Sequence, residues 1–415
     1  MVEMEYDVLA KFLVDKKGYD YKCMYQPLSE VDIDFFQRGL ILDFERGNVL
    51  QVSEDGIILQ ASHGTEQLSS EEICMRYGDE RQWDVTSALC KDMVVVLNSP
   101  LMKQMRTLLD YFDMPASLAF ARAVNCTDYR KGQSKVSYTA GQDVLEALID
   151  MYSREHFTSE KSGYFKELKA NPDKYINKCK PQVLDWLKTI KKEKPVILIT
   201  GSNVDYASFS ASYCLGEDWL NYFDVVVCYA RKPGFFTETR PFLRLEGILE
   251  REELNETELD FGGVYSQGNW KDLERLVSRK TNKDDPKCLY IGDNLVQDIF
   301  APSKYAGIDA VAVVEELGAE AADLPHHSGL NPNRSCVASR RWGSFFRHMN
   351  AKTYTMWGGI IKNYAKICVP NLSTLASYPL NYELDQFEVE NKKETEGYHP
   401  TCPMSLRAIR YQLKI

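Results

Sequence analysis

Between residues 195 and 314 short apolar runs alternate with stretches of helical spacing, and no other feature of the chain restricts its fold as much. The runs cover residues 196–199, 225–229, 288–291 and 310–314; the helical stretches lie near 204–214, 269–279 and 295–305. Continuous apolar strands separated by amphipathic helices build a parallel sheet covered on both faces. Such a sheet gathers ligands at the carboxyl ends of its strands. Three of the runs end in polar clusters: Thr200-Gly201-Ser202, Arg231-Lys232-Pro233, and Gly292-Asp293 with Asp298.

The rest of the chain supplies different elements. Residues 4–17 carry apolar side chains at helical spacing, and Gly18 stops that helix. A chain that begins inside such an element reads as trimmed. Three short β-rich runs follow, 40–44, 48–52 and 56–60, separated by turn-formers and closed by Ala61-Ser-His63-Gly-Thr65. Residues 1–65 are therefore expected to form N-terminal helices and a small antiparallel meander belonging to the core. Residues 66–192 show mostly helical spacing, including Leu101, Met105, Leu108, Leu109 and Phe112, and are expected to form a helical cap. Residues 193–315 would be the α/β core and 316–340, polar and turn-rich, a flexible loop. Residues 341–415 begin with Arg341-Trp-Gly-Ser-Phe-Phe346, aromatic enough to pack back on the core, and end in a charged, frayed stretch.

Composition excludes several classes of function. With 50 basic and 60 acidic residues the net charge is −10, which argues against broad binding to nucleic acid or an anionic membrane. No apolar run approaches the ~18 residues of a membrane span, and the first residues lack the basic start of a signal peptide. A cytoplasmic location follows as the default. The 11 cysteines are scattered singly with no metal-like spacing, so they are expected to be reduced thiols.

Each polar cluster has a functional and a structural reading. Asp293 would project from a strand end into the crevice, with Asp298 one turn along the next helix, and two carboxylates there suit Mg²⁺; equally, Asp293 could be a helix N-cap. The Thr200, Gly201 and Ser202 hydroxyl and amide groups would converge at a helix N-terminus that attracts phosphate, or simply form a capping box. Lys232, beside the turn-stiffening Pro233, could offset charge on a carboxylate and a phosphoryl group, or be a surface lysine. His63 reads as an acid/base or cap residue, or as a structural hydrogen-bonder, and His326-His327 has no partner at ligand spacing.

Taken in order, Thr200, Lys232, and Gly292-Asp293 with Asp298 resemble the haloacid-dehalogenase superfamily. Arg38-Gly-Leu, Ser62-His-Gly-Thr65, Asp205-Tyr206, Ala230-Arg-Lys-Pro-Gly-Phe-Phe236, Tyr265-Ser and Tyr290-Ile-Gly-Asp-Asn are similar to the cytosolic purine 5′-nucleotidase group over about residues 6–400. The resemblance implies a Rossmann-like parallel sheet with a helical cap, and Mg²⁺-dependent hydrolysis of a nucleoside 5′-monophosphate through an aspartyl phosphate. It assigns Thr200, Gly201, Ser202 and Lys232 to phosphate, with Thr200 and Lys232 catalytic, and Asp293 and Asp298 to the metal. No base-binding residue carries over, because Leu145 and Asp150 stand near where an arginine and an aspartate would be wanted.

The resemblance also has a defect. The group's nucleophile lies in an Asp-x-Asp-x-Thr segment at the end of a central strand, between the strands ending here at Thr200 and Asp293. Asp32-Ile-Asp34 copies the Asp spacing but follows Pro27-Leu-Ser29 rather than a buried strand, and Ser29 reads as a helix cap. The chain is therefore expected to lack the central strand and to be inactive as written. The alternative is a non-catalytic pseudoenzyme or truncated isoform that binds a partner. A nucleoside monophosphate or other small phosphate ester is the expected ligand, with no nucleic acid or membrane partner; association with copies of itself is left open.

Overall fold

The computed structural model describes residues 1–131, 138–159, 161–323, 339, 341–348 and 353–383. It is a mixed α/β structure with several sheets and many helices, divided, among the described residues, into two compact units: residues 1–167 with 315–363, and 168–314 with 364–383. His326 and His327 lie outside the described residues.

In the first unit a helix over Val2–Lys17 buries Tyr6, Leu9 and Leu13 on one stripe. Gly18 ends it in the left-handed conformation (φ 72°), and its N–H donates to the Val14 carbonyl, the closure that glycine makes without a side-chain clash. Next come β1 (Leu40–Asp43), β2 (Asn48–Val52), β3 (Ile58–His63), β4 (Glu66–Gln67) and β5 (Met105–Leu108). They form an antiparallel sheet in the order β4-β3-β2-β1-β5, so the expected meander is present. Strand β5 departs from the helical spacing expected there. Met105 and Leu108 are three residues apart, a period that suits a helix, yet both are fully buried on a strand paired with β1.

Two further expectations change in this unit. Glu316–Asp323 is a helix rather than flexible loop, because Leu317 is buried and the Glu316 carboxylate takes both Nε (2.9 Å) and Nη2 (2.7 Å) of the fully buried Arg38. Cys23 and Cys126 form a disulfide, which corrects the expectation of reduced thiols for this pair, while the other seven described cysteines remain thiols; the two are 103 residues apart in sequence, and meet because the turn at Tyr21–Met24 packs on the helix Pro115–Lys131. The 341–348 stretch belongs to the first unit, with Trp342, Phe345 and Phe346 buried, each contributing roughly 2–3 kcal/mol of apolar burial.

The second unit holds β6 (Ile197–Ile199), β7 (Val225–Cys228), β8 (Phe242–Glu246), β9 (Leu249–Leu254), β10 (Val264–Gln267), β11 (Leu289–Gly292), β12 (Asp309–Val313) and β13 (Ile367–Val369). They fall into two sheets, β6-β7-β10-β8-β9 and β11-β12-β13. The β6-β7-β10 ladder and all of the second sheet are parallel, whereas β8 and β9 add an antiparallel hairpin. The hairpin escapes a reading by apolar runs because Leu249-Glu-Arg-Glu-Glu-Leu254 is mostly charged. Helices over Val204–Leu215 and Trp270–Thr281 follow β6 and β10. After β11 comes a π-helical turn, Leu295–Phe300, and then the helix Ala301–Ala306.

Candidate functional site

Lys232 occupies the loop after β7, where Tyr229 and Arg231 take positive φ (44° and 52°). Its side chain is 9% exposed and its ammonium donates three times: to Asp298 Oδ1 at 2.5 Å, to the Tyr290 hydroxyl at 3.2 Å and to the Ile199 carbonyl at 3.4 Å. Burial by itself would lower the Lys232 pKa, but Asp298 and Tyr290 outweigh it and hold the ammonium above its ordinary value. Burial first, and then Asp298, hold the Tyr290 hydroxyl above its own.

Asp298 is placed by the π-helical turn, whose extra residue swings its carboxylate back over β11. Oδ2 accepts the Asn294 N–H at 3.2 Å, and a Cβ on Gly292 would fall 2.4 Å from the Asp298 Cβ, so only glycine leaves room for this approach. The N-cap of the turn is Asn294, whose Oδ1 accepts from the Val296 and Gln297 N–H groups; Asp293 is not the cap and is exposed at the end of β11.

Thr200 follows β6. Its Oγ1 accepts the Ser202 N–H at 3.1 Å, which leaves its O–H to donate elsewhere. The helix Val204–Leu215 begins two residues later without a side-chain cap from Asn203, and nothing stands within 4 Å of where a Gly201 Cβ would be. Open backbone at a helix N-terminus suits an anion. The structure thus joins Lys232 directly to Asp298, with Thr200 next to the Ile199 carbonyl that Lys232 touches. Among the described residues no three His, Cys, Asp or Glu side chains converge as a metal cage. Mg²⁺ needs none, since it keeps several waters and takes one or two carboxylates with phosphate oxygens.

Other sequence candidates have structural places. His63, in the first unit, contacts Asn48 Oδ1 (2.9 Å), Asp128 Oδ2 (3.0 Å) and the Tyr138 hydroxyl (3.2 Å). Asp32 closes a capping box with Ser29 and pairs with Arg122 at 3.2 Å, off any strand. After Tyr265, Asn269 caps the next helix and Gly268 abuts Phe242. Sequence reasoning missed Tyr290 and Asn294 as parts of the cluster. Asn294 was detectable as a capping residue before an apolar helix; nothing in the sequence shows that the Tyr290 hydroxyl meets Lys232.

A model of the 5′ nucleotidase family matches residues 1–329. The chain belongs to that family. It is 33% identical over 424 residues to 5′-nucleotidase domain-containing protein 1 of Bos taurus and 32% identical over 431 residues to that of Homo sapiens, covering 97% of this chain and 91% of each relative. It is also 27% identical over 293 residues to 5′-nucleotidase domain-containing protein 2 of Homo sapiens, covering 69% of this chain and 52% of that protein. The match to the family model spans every residue of the Lys232 cluster in this 5′ nucleotidase family member. No helix among the described residues is long and apolar enough to cross a membrane.

Proposed function

We propose that this chain binds phosphate monoesters of the nucleoside 5′-monophosphate class, with Mg²⁺, at the strand ends around Lys232, and does not hydrolyse them. The observation that carries the reading is the Lys232 ammonium, clamped between Asp298, Tyr290 and the last carbonyl of β6. A buried cation at the carboxyl ends of parallel strands, beside a helix N-terminus that the Asn203 side chain does not cap, is an arrangement for holding a phosphoryl group. Thr200 and the Gly201 and Ser202 amides would grip its outer oxygens. Asp293 would hold Mg²⁺ directly and Asp298, engaged by Lys232, through a water; the ion would offset phosphate charge.

Turnover by the haloacid-dehalogenase route needs a further aspartate as nucleophile. The sole Asp-x-Asp in the sequence is Asp32-Ile-Asp34, and Asp32 is committed to its cap and to Arg122. The test is calorimetric titration with adenosine 5′-monophosphate and with inorganic phosphate, with and without Mg²⁺, alongside a phosphate-release assay. Binding that requires Mg²⁺, with no sustained release, is expected. Release by a pure preparation would overturn the absence of turnover, and no binding under any condition would overturn the site itself.

A further inference from the structure

The helix Val204–Leu215 ends at Gly216, and the last carbonyls of a helix need donors from outside it. Cys179 supplies one here: its N–H donates to the Cys214 carbonyl at 2.9 Å. Two neighbouring contacts hold the same segment on the helix end. The Cys214 Sγ–H donates to the Asn177 carbonyl at 3.4 Å, and the Lys178 ammonium lies 5.4 Å from the centre of the Tyr213 ring. Pro181 then opens the next helix, Pro181–Glu193, and fixes φ where the segment ends. All of these residues belong to the second unit.

This cap brings two thiols together. A main-chain N–H···O=C bond of ordinary length sets the α-carbons of its two residues about 5–6 Å apart, inside the range of ~4.4–6.8 Å that a disulfide bridges. Cys23 and Cys126, which are bonded, stand 6.0 Å apart by the same measure. Cys179 and Cys214 are both half-buried thiols, so a small reagent can reach them. Burial first, and then the Cys179 sulfur, hold the Cys214 thiol above its ordinary value. Burial raises the Cys179 thiol as well, but the Lys180 N–H opposes it by stabilising the thiolate. Cys179 is therefore the attacking group, whereas the bond from Cys214 Sγ–H to a carbonyl suits a thiol that waits.

We infer that Cys179 and Cys214 form a dithiol site that exchanges with small disulfides of the glutathione type and closes to a disulfide across the end of the helix. The Cys179 thiolate attacks one sulfur of glutathione disulfide, which forms a mixed disulfide and releases one glutathione thiolate. The Cys214 thiolate then attacks the Cys179 sulfur and releases the second. The protein loses two electrons, glutathione disulfide gains them, and the two cysteine protons pass to the departing thiolates. With both thiols held above their ordinary value, exchange is slow at neutral pH and quickens as pH rises. The bond closes a loop that contains the helix Pro181–Glu193, β6 and Thr200, and so restrains the unfolded chain. The inference is independent of the phosphate-ester reading, because Cys214 lies at the opposite end of its helix from Thr200.

The test equilibrates the full chain with mixtures of glutathione and glutathione disulfide at mildly alkaline pH, once in native buffer and once in concentrated urea. The remaining thiols are then alkylated, and the chain is digested with chymotrypsin, which has sites between Cys214 and Cys228 at Trp219, Tyr222 and Phe223. Mass spectrometry is expected to find a peptide pair joined through Cys179 and Cys214, with an equilibrium constant in native buffer about tenfold or more above that in urea. Cys179→Ser and Cys214→Ser should each give a glutathione adduct on the remaining cysteine and no joined pair. Absence of the joined pair from the parent in native buffer would overturn the proposal, whether the two thiols stay reduced or carry glutathione separately. A bond from either one to a third cysteine would do the same, as would equal constants in the two solvents.

Discussion

The Lys232 ammonium lies 2.5 Å from the Asp298 carboxylate, a buried pair closed across 66 residues of chain. Both side chains are nearly excluded from water, at 9% and 6% exposure, so each charge depends on the other. Lys232→Met removes the cation and leaves the carboxylate uncompensated, at a cost of about 3–5 kcal/mol. Lys232→Met with Asp298→Asn removes both charges and keeps an acceptor for the Asn294 N–H, so it should recover most of that loss. Urea denaturation of the three proteins checks this, and a single variant within about 0.5 kcal/mol of the parent would show the pair to be solvated.

Gly292 guards the same contact from the strand side. A Cβ there would fall 2.4 Å from the Asp298 Cβ and 2.7 Å from its Oδ2, so Gly292→Ala forces the π-helical turn away from β11. Overpacking of this kind costs roughly 1–3 kcal/mol. Gly201→Ala, which meets nothing within 4 Å, is the control and should leave thermal stability unchanged. Equal melting temperatures for the two variants would contradict the crowding.

What the sequence disclosed follows from the range of the interactions involved. The helix Val2–Lys17, its stop at Gly18, the meander β1 to β3 and the strands before Thr200, Lys232 and Asp293 were all legible, because local periodicity and turn chemistry specify them. Strand β5 was not, since Met105 and Leu108 suit either period and only pairing with β1 decides between them. The charged hairpin β8-β9 was hidden for the opposite reason, having almost no apolar alternation. At the cluster, residue types at strand ends pointed to Lys232 and Asp298. Their contact, and the part played by Tyr290, are tertiary facts that no spacing encodes.

Asp293 differs from Asp298 in being exposed, and that difference separates function from stability. Asp293→Asn should weaken Mg²⁺-dependent phosphate binding by about tenfold or more while changing the unfolding free energy by less than about 0.5 kcal/mol. Calorimetric titration and urea denaturation of the same sample measure the two effects. Unchanged Mg²⁺ dependence would remove Asp293 from the metal site.

A pH effect should arise in the first unit, from Glu5. Its side chain is wholly buried against Tyr152, and burial pushes its pKa up from the ordinary 4.5 to about 8. Below pH 4.5 the carboxyl is protonated in both folded and unfolded chains, and the stabilising effect of the neutral group is fully present. As pH rises from there to about 8 the unfolded chain releases the proton and the folded chain keeps it, so stability falls. The slope approaches about 1.4 kcal/mol per pH unit within that window, and above it the loss is complete. Glu5→Gln cannot ionise and should lack this component. Urea denaturation at several pH values from mildly acidic to mildly alkaline should therefore show the variant gaining on the parent as pH rises, by a few kcal/mol at the alkaline end. Parallel stability curves for the two proteins would mean that Glu5 reaches water or a cation when folded.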